Sequence, residues 1–213
     1  RYGVAPEEIL VGAGADEVLD IAVKAFLPPG GRAVIPVPTY AMYRVLTEQR
    51  PAEVVAVPRQ SAEAGFALDV PQLRAAAASS AAQVVWLCSP NNPTGLPEPP
   101  GAIESLLDGL ATDAAAGGRP APIVVLDEAY AEFTGASLLP LRARYAGLVV
   151  VRTMSKVYAL AGLRVGFALA RPEVIEAMAA YRPPGSVSVV SVSIAADLLA
   201  DDAVLQAGRA RIE

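Results

Sequence analysis

Six short apolar runs punctuate the chain, at residues 33–37, 54–57, 84–88, 123–126, 148–152 and 166–169. Most are rich in Val, Ile and Leu and do not alternate with polar residues, the pattern of strands buried on both faces. Between them, apolar residues recur at helical spacing over 16–26, 40–49, 71–78, 103–116, 172–181 and 189–200. Strand and helix taking turns in this way predicts an α/β fold with right-handed β-α-β crossovers and a largely parallel sheet. Residues 65–68 read as a short edge segment, and the proline-rich stretch 96–101 as a connecting loop. The alanine-rich run 75–82 reads as the tail of a helix.

Composition narrows the chemistry. Of 213 residues, 54% are hydrophobic, enough for a well-buried core. No stretch approaches the roughly 18 unbroken apolar residues of a membrane span. The chain begins Arg1-Tyr2-Gly3, without a cationic, apolar leader, which is compatible with a cytoplasmic location; the lack of an initiator Met points to a start that is not a natural terminus. A net charge of −5 offers no basic surface to nucleic acid. The single cysteine, Cys88, excludes an internal disulfide and any multi-cysteine metal site. There is no histidine, which removes Ser-His-Asp triads, most zinc sites and imidazole acid–base catalysis. Only two lysines, Lys24 and Lys156, stand against fifteen arginines, so amine chemistry has two candidates.

In a doubly wound sheet, ligands bind beyond the carboxyl ends of the strands. Five segments sit at such ends. Gly12-Ala13-Gly14-Ala15-Asp16-Glu17 runs from a glycine-rich turn into a helix, either a phosphate site or an ordinary helix start capped by Asp16. It is neither a dinucleotide fingerprint, because Glu17 replaces the third glycine, nor a P-loop. Pro38-Thr39-Tyr40 places an aromatic where it can stack on a planar ligand or simply pack. Ser89-Pro90-Asn91-Asn92-Pro93-Thr94-Gly95 is a tight polar loop, a turn or a set of donors for an oxyanion. Asp127 closes an apolar strand, where a carboxylate is costly without a cation or strong donor. With Glu128 it could suggest magnesium, a weak reading without a P-loop, and a charged ring nitrogen would also satisfy it. Last, Arg152-Thr153-Met154-Ser155-Lys156 supplies hydroxyl donors and an amine, with Arg164 eight residues on as a fork for phosphate. Lys24 follows Asp20 by four helical positions, the spacing of a surface ion pair, which leaves Lys156 as the nucleophile.

Together, GAGADE, PTY, SPNNPTG, LDEAY and TMSKVYALAGLRVG resemble, in order and approximate spacing, the fold-type I aminotransferases that use pyridoxal 5′-phosphate (PLP). Among these the chain is most similar to the histidinol-phosphate aminotransferases, from Val4 to about Leu199. The resemblance implies a three-layer α/β/α large domain over residues 1–213 and a homodimer. It also implies transamination between an amino donor (histidinol phosphate or an aromatic amino acid) and a 2-oxo acid such as 2-oxoglutarate. Lys156 would hold the cofactor and move the proton; Asp127 would face the pyridine nitrogen; Asn92 and Tyr130 would bond the ring 3′-oxygen. Tyr40 would stack on the ring, while the Ala15 and Asp16 amides, Thr153, Ser155 and Arg164 would hold the phosphate.

The chain departs from the family at Val157, where a small residue is usual and which is expected to crowd a helix start. An N-terminal segment and a C-terminal small domain with the substrate-carboxylate arginine are expected to lie outside the chain. The same resemblance leaves open a PLP-dependent lyase or decarboxylase and a non-catalytic PLP-binding regulator.

Overall fold

The computed structural model describes residues 2–211. Its strands are β1 (Ile9–Gly12), β2 (Arg32–Val37), β3 (Glu53–Pro58), β4 (Val84–Cys88), β5 (Ile123–Asp127), β6 (Leu148–Thr153) and β7 (Gly166–Leu169). Its helices are α1 (Ala15–Phe26), α2 (Met42–Gln49), α3 (Val70–Ser80), α4 (Ala102–Ala116), α5 (Ala131–Thr134), α6 (Pro172–Ala179), α7 (Val189–Ala200) and α8 (Asp202–Arg209). The strands form one sheet in the order β1-β7-β6-β5-β4-β2-β3. Pairs β2–β3, β2–β4, β4–β5 and β5–β6 are parallel, and β7 runs antiparallel to both its neighbours.

The absence of polar alternation has the expected cause. On β4, Val84, Trp86 and Cys88 pack with α1, α2 and α6, while Val85 and Leu87 pack with α3 and α4. The same split recurs on β6, where Val149 and Val151 face one layer and Leu148 and Val150 the other. Each of these strand residues therefore meets a helix layer, and the result is the α/β/α sandwich that the resemblance implies, around the largely parallel sheet that the pattern predicts. α1 shows the matching helical stripe: Val18, Leu19, Ile21, Ala22 and Val23 are all buried. Among the described residues, no helix is long and apolar enough to cross a membrane.

Several expectations need correction. β1 is absent from the sequence reading, because four residues on an antiparallel edge carry no crossover signal. Residues 65–68 form no strand; Phe66 adopts a left-handed φ of 52°, and the turn folds back so that Gln60 N–H donates to the Ala67 carbonyl at 3.0 Å. Asp16 does not cap α1. The N-cap is Gly14, whose φ of 89° and ψ of 172° only glycine adopts readily, so the helix starts before Asp16. Val157 crowds no helix start: it lies in a turn, is buried, and meets α8, where a side-chain atom on Gly208 would collide with the Val157 carbonyl. α8 and the short α5 extend beyond the predicted elements.

Candidate active site

Because β1 and β6 both oppose β7, β1 points the same way as the parallel strands. The carboxyl ends of β1, β2, β4, β5 and β6 thus share one edge of the sheet. β7 enters at that edge, so Arg164, just before it, arrives there as well. All ten residues singled out above as cofactor contacts line one pocket at this edge, joined by Cys88 and Ala129.

Part of the pocket lining brings together a helix start, two hydroxyls and a guanidinium. The start of α1 carries Ala15 and Asp16 into the lining, and first-turn N–H groups have no intrahelical partner. β7 approaches this turn so closely that a side chain on Gly166 would strike the backbone of Gly14 and Ala15. A Cβ on Gly14 itself would lie 2.5 Å from Arg164 Nη2, so that glycine makes the space in which the guanidinium sits. Arg164 is held loosely: its donors reach the Ala161 and Ala13 carbonyls only at 3.4 and 3.5 Å, and Asp16 at 3.9 Å. Its charge therefore remains available to a ligand. Thr153 and Ser155 complete this part of the lining, their hydroxyls 3.0 Å apart.

The same pocket holds a buried acid. Asp127 pairs in register with Cys88 on β4 and Val151 on β6. Its Oδ1 accepts from the Ala129 N–H at 2.9 Å, and its Oδ2 from the Tyr43 hydroxyl at 2.9 Å. Burial pushes its pKa up to about 6 against these two donors, Asp16 adds repulsion, and Lys156 opposes the rise. No cation forms an ion pair with Asp127 among the described residues. Beside it, the Cys88 thiol is pushed up to about 12, first by burial and then by the Asp127 charge.

Lys156 enters the pocket from the loop after β6, its Nζ 5.2 Å from the centre of the Tyr130 ring. The second lysine has the ordinary role its spacing predicts: Lys24 bonds Asp20 at 2.6 Å on the outside of α1. Tyr40 donates to Asp16 Oδ1 at 3.1 Å, and its own pKa rises to about 12 through burial and then the Asp16 charge. The polar loop after β4 divides its two asparagines. Asn91 is buried and consumed by structure: its Oδ1 accepts from Thr39 Oγ1 and Arg59, and its amide donates to the Pro38 carbonyl and Thr94. Asn92 is left facing the pocket.

Sequence reasoning missed three parts of this arrangement. Tyr43, buried near the start of α2, reads in the sequence as one more apolar position of that helix. The buried pair Arg59–Glu98, which anchors the proline-rich loop, and the cluster of Arg152 with Glu128 and Glu132 carry no local signal.

The fold and the pocket agree with comparisons to known proteins. The family model "Aminotransferase class I and II" matches residues 2–213. Histidinol-phosphate aminotransferase of Xylella fastidiosa (strain 9a5c) is 40% identical over 196 residues, which cover 91% of this chain and 52% of the relative. The structure of the Sinorhizobium meliloti histidinol-phosphate aminotransferase in complex with pyridoxal-5'-phosphate superposes with a TM-score of 0.84 at 27% identity, covering 99% of this chain and 55% of that one. Aspartate aminotransferase from Thermus thermophilus with maleate gives a TM-score of 0.85 at 26% identity, covering 97% and 54%. The chain thus spans about half the length of the relatives it matches. With a match running from Tyr2 to the last residue, over a sheet whose strand ends gather a lysine, a buried acid and a loosely held guanidinium, the chain belongs to the class I and II aminotransferase family.

Proposed function

We propose that residues 1–213 form the PLP-binding large domain of an aminotransferase, acting between an amino donor of the histidinol phosphate or aromatic amino acid kind and a 2-oxo acid such as 2-oxoglutarate. The observation that carries this reading is that one pocket is lined by a helix start with a loosely held guanidinium, an amine, and a buried acid that forms no ion pair among the described residues.

The residues fit the cofactor at each of its polar groups. The first-turn amides of Ala15 and Asp16, with Thr153, Ser155 and Arg164, would hold the phosphate. Asp127, whose pKa of about 6 reflects an uncompensated buried charge, would hold the ring-nitrogen proton. Asn92 and Tyr130 would bond the 3′-oxygen, and Tyr40 would lie against the ring. When bound, PLP supplies an electron sink for the pair of electrons released at the substrate Cα. Lys156 would provide the covalent anchor, then take the Cα proton on Nζ and deliver it to the cofactor's C4′. With no histidine in the sequence, an amine serving as both acid and base is consistent with the composition. A homodimer is proposed on the same grounds as the reaction, by membership of the family.

The test uses the full-length protein that contains this chain. Borohydride should fix a pyridoxyl adduct that Lys156→Ala abolishes and Lys24→Ala leaves intact; an adduct surviving in Lys156→Ala would refute the assignment. A panel of amino donors with 2-oxoglutarate then names the substrate, and release of pyruvate or carbon dioxide in place of amino transfer would point to a lyase or decarboxylase.

A further inference from the structure

The two oxygens of Asp127 are held by unlike partners. Oδ1 accepts from the N–H of Ala129, in its own turn, whereas Oδ2 accepts from Tyr43, 84 positions away on α2. Tyr43 is fully buried, and its ring stacks on Trp86 with centroids 4.9 Å apart and planes 8° from parallel. Trp86 is fixed in turn, since its Nε1 donates to Thr47 Oγ1 at 3.2 Å. Thr47 Oγ1 donates to the Tyr43 carbonyl at 2.7 Å, which closes the circuit. The stack sets the phenol ring, and the ring sets the line along which the hydroxyl meets the carboxylate.

We propose that Tyr43 is a positioning residue that fixes the buried Asp127 carboxylate in one orientation and keeps it ionised. The other groups around Asp127 cannot do this. Cys88, on the neighbouring strand, turns its thiol to the Pro90 carbonyl at 3.3 Å and meets the Tyr43 hydroxyl, but donates no hydrogen bond to Asp127 among the described residues. Asp16 carries a like charge and is occupied by the Tyr40 hydroxyl. Lys156 attracts Asp127 from the loop after β6 but forms no ion pair with it among the described residues. Tyr43 is the one side chain whose hydrogen bond Asp127 accepts among those residues. The bearing on the cofactor rests on the proposed function: an acid already aligned meets the ring nitrogen without reorganising.

Tyr43→Phe removes the hydroxyl while keeping the ring on Trp86. In the cofactor-free full-length protein, the Asp127 carboxyl titration is followed by 13C NMR, with Asp127→Asn identifying the signal. In Tyr43→Phe the midpoint should move up by about one pH unit or more, the size of a lost hydrogen bond to a charged group. A midpoint unchanged to within about 0.3 pH unit overturns the proposal. Should the phenylalanine variant fail to fold, 3-fluorotyrosine at position 43 keeps the shape and sharpens the donor. The midpoint should then fall, and an unmoved one overturns the proposal equally. Reconstitution with PLP labelled with 15N in the ring supplies the second readout: in Tyr43→Phe the ring nitrogen should shift toward its unprotonated value, and a fully protonated ring there overturns the role toward the cofactor. A wild-type protein with no borohydride-fixable adduct sinks the cofactor reading alone, because the carboxyl titration is decided without PLP.

Discussion

Replacing Asp127 by Asn should stabilise the cofactor-free protein at neutral pH while destroying its use. Asp127 titrates near 6 in the fold against about 3.8 in the open chain, chiefly because burial penalises its charge. Between those values the unfolded chain binds fewer protons than the folded one, so stability falls as pH rises from about 4 to about 6 and then levels off. At 1.36 kcal/mol per pH unit, the full cost above pH 6 is about 3 kcal/mol, of which about 1 kcal/mol is already felt at pH 4.5. Asparagine escapes this. Its carbonyl can still accept from the Ala129 N–H, its amide can donate to the Tyr43 oxygen, and the Tyr43 O–H, which the amide nitrogen cannot accept, can turn to the neighbouring Cys88 sulfur. Denaturant unfolding of the two cofactor-free proteins should show an advantage for Asp127→Asn of about 1 kcal/mol at pH 4.5, widening to about 3 kcal/mol at pH 7. Adding PLP should reverse the ranking, since a ring cation compensates the acid and not the amide, and transamination should drop by orders of magnitude. An advantage that stays flat across pH, or a variant less stable than wild type at pH 7, would refute the account of Asp127 as a buried charge lacking a cation.

Two other substitutions test the scaffold. Gly14→Ala forces a side chain into a conformation with φ of 89° and within 2.5 Å of Arg164 Nη2. It should lower stability by about 1–3 kcal/mol in urea unfolding and weaken PLP at least roughly tenfold in equilibrium dialysis, the factor that about 1.4 kcal/mol of lost binding gives. Retained cofactor affinity would separate Arg164 from the phosphate. Arg152→Met strands the buried carboxylates of Glu128 and Glu132 and should cost about 3–5 kcal/mol in the same unfolding assay. Its cost should shrink as pH falls toward the range where Glu128, whose pKa burial raises, protonates, and a pH-independent loss would mean that packing dominates.

The interior strands were legible because burial on both faces leaves an apolar run with sharp ends: β4 and β7 match the sequence reading to the residue. β1 was not, because an edge strand of four residues gains its identity from pairing with β7 across more than 150 positions. At the site, the groups that face the ligand were readable, since polar residues at the ends of apolar strands conflict with their surroundings. Those that hold the ligand's contacts in place were not. Tyr43 reads as one more apolar position on α2, and Arg59 as one more arginine among fifteen until the fold seats Glu98 against it. The αL backbone at Arg164, with φ of 51°, is likewise a consequence of β7 arriving beside Gly14.

Asp127 and Glu128 show how a site can be told from a scaffold when both are buried acids side by side. The pleat sends them apart: Asp127 faces Tyr43 on the α2 side, while Glu128 turns to Ser137, the Leu138 N–H and Arg152. That separation removes the shared magnesium site that two adjacent acids suggest in the sequence, and no metal-ligating cluster occurs among the described residues. Burial raises the pKa of both, but only Glu128 has a guanidinium, at 2.6 Å, to offset the rise. The fold already contains the counter-charge of Glu128, so its role ends with stability. Asp127 is given alignment and no cation, which is an arrangement that gains free energy only when a cationic group arrives from outside the chain. A protein that merely needed to fold would be better served by an apolar residue there, and the chemistry of the pocket therefore turns on a buried charge that no cation among the described residues answers.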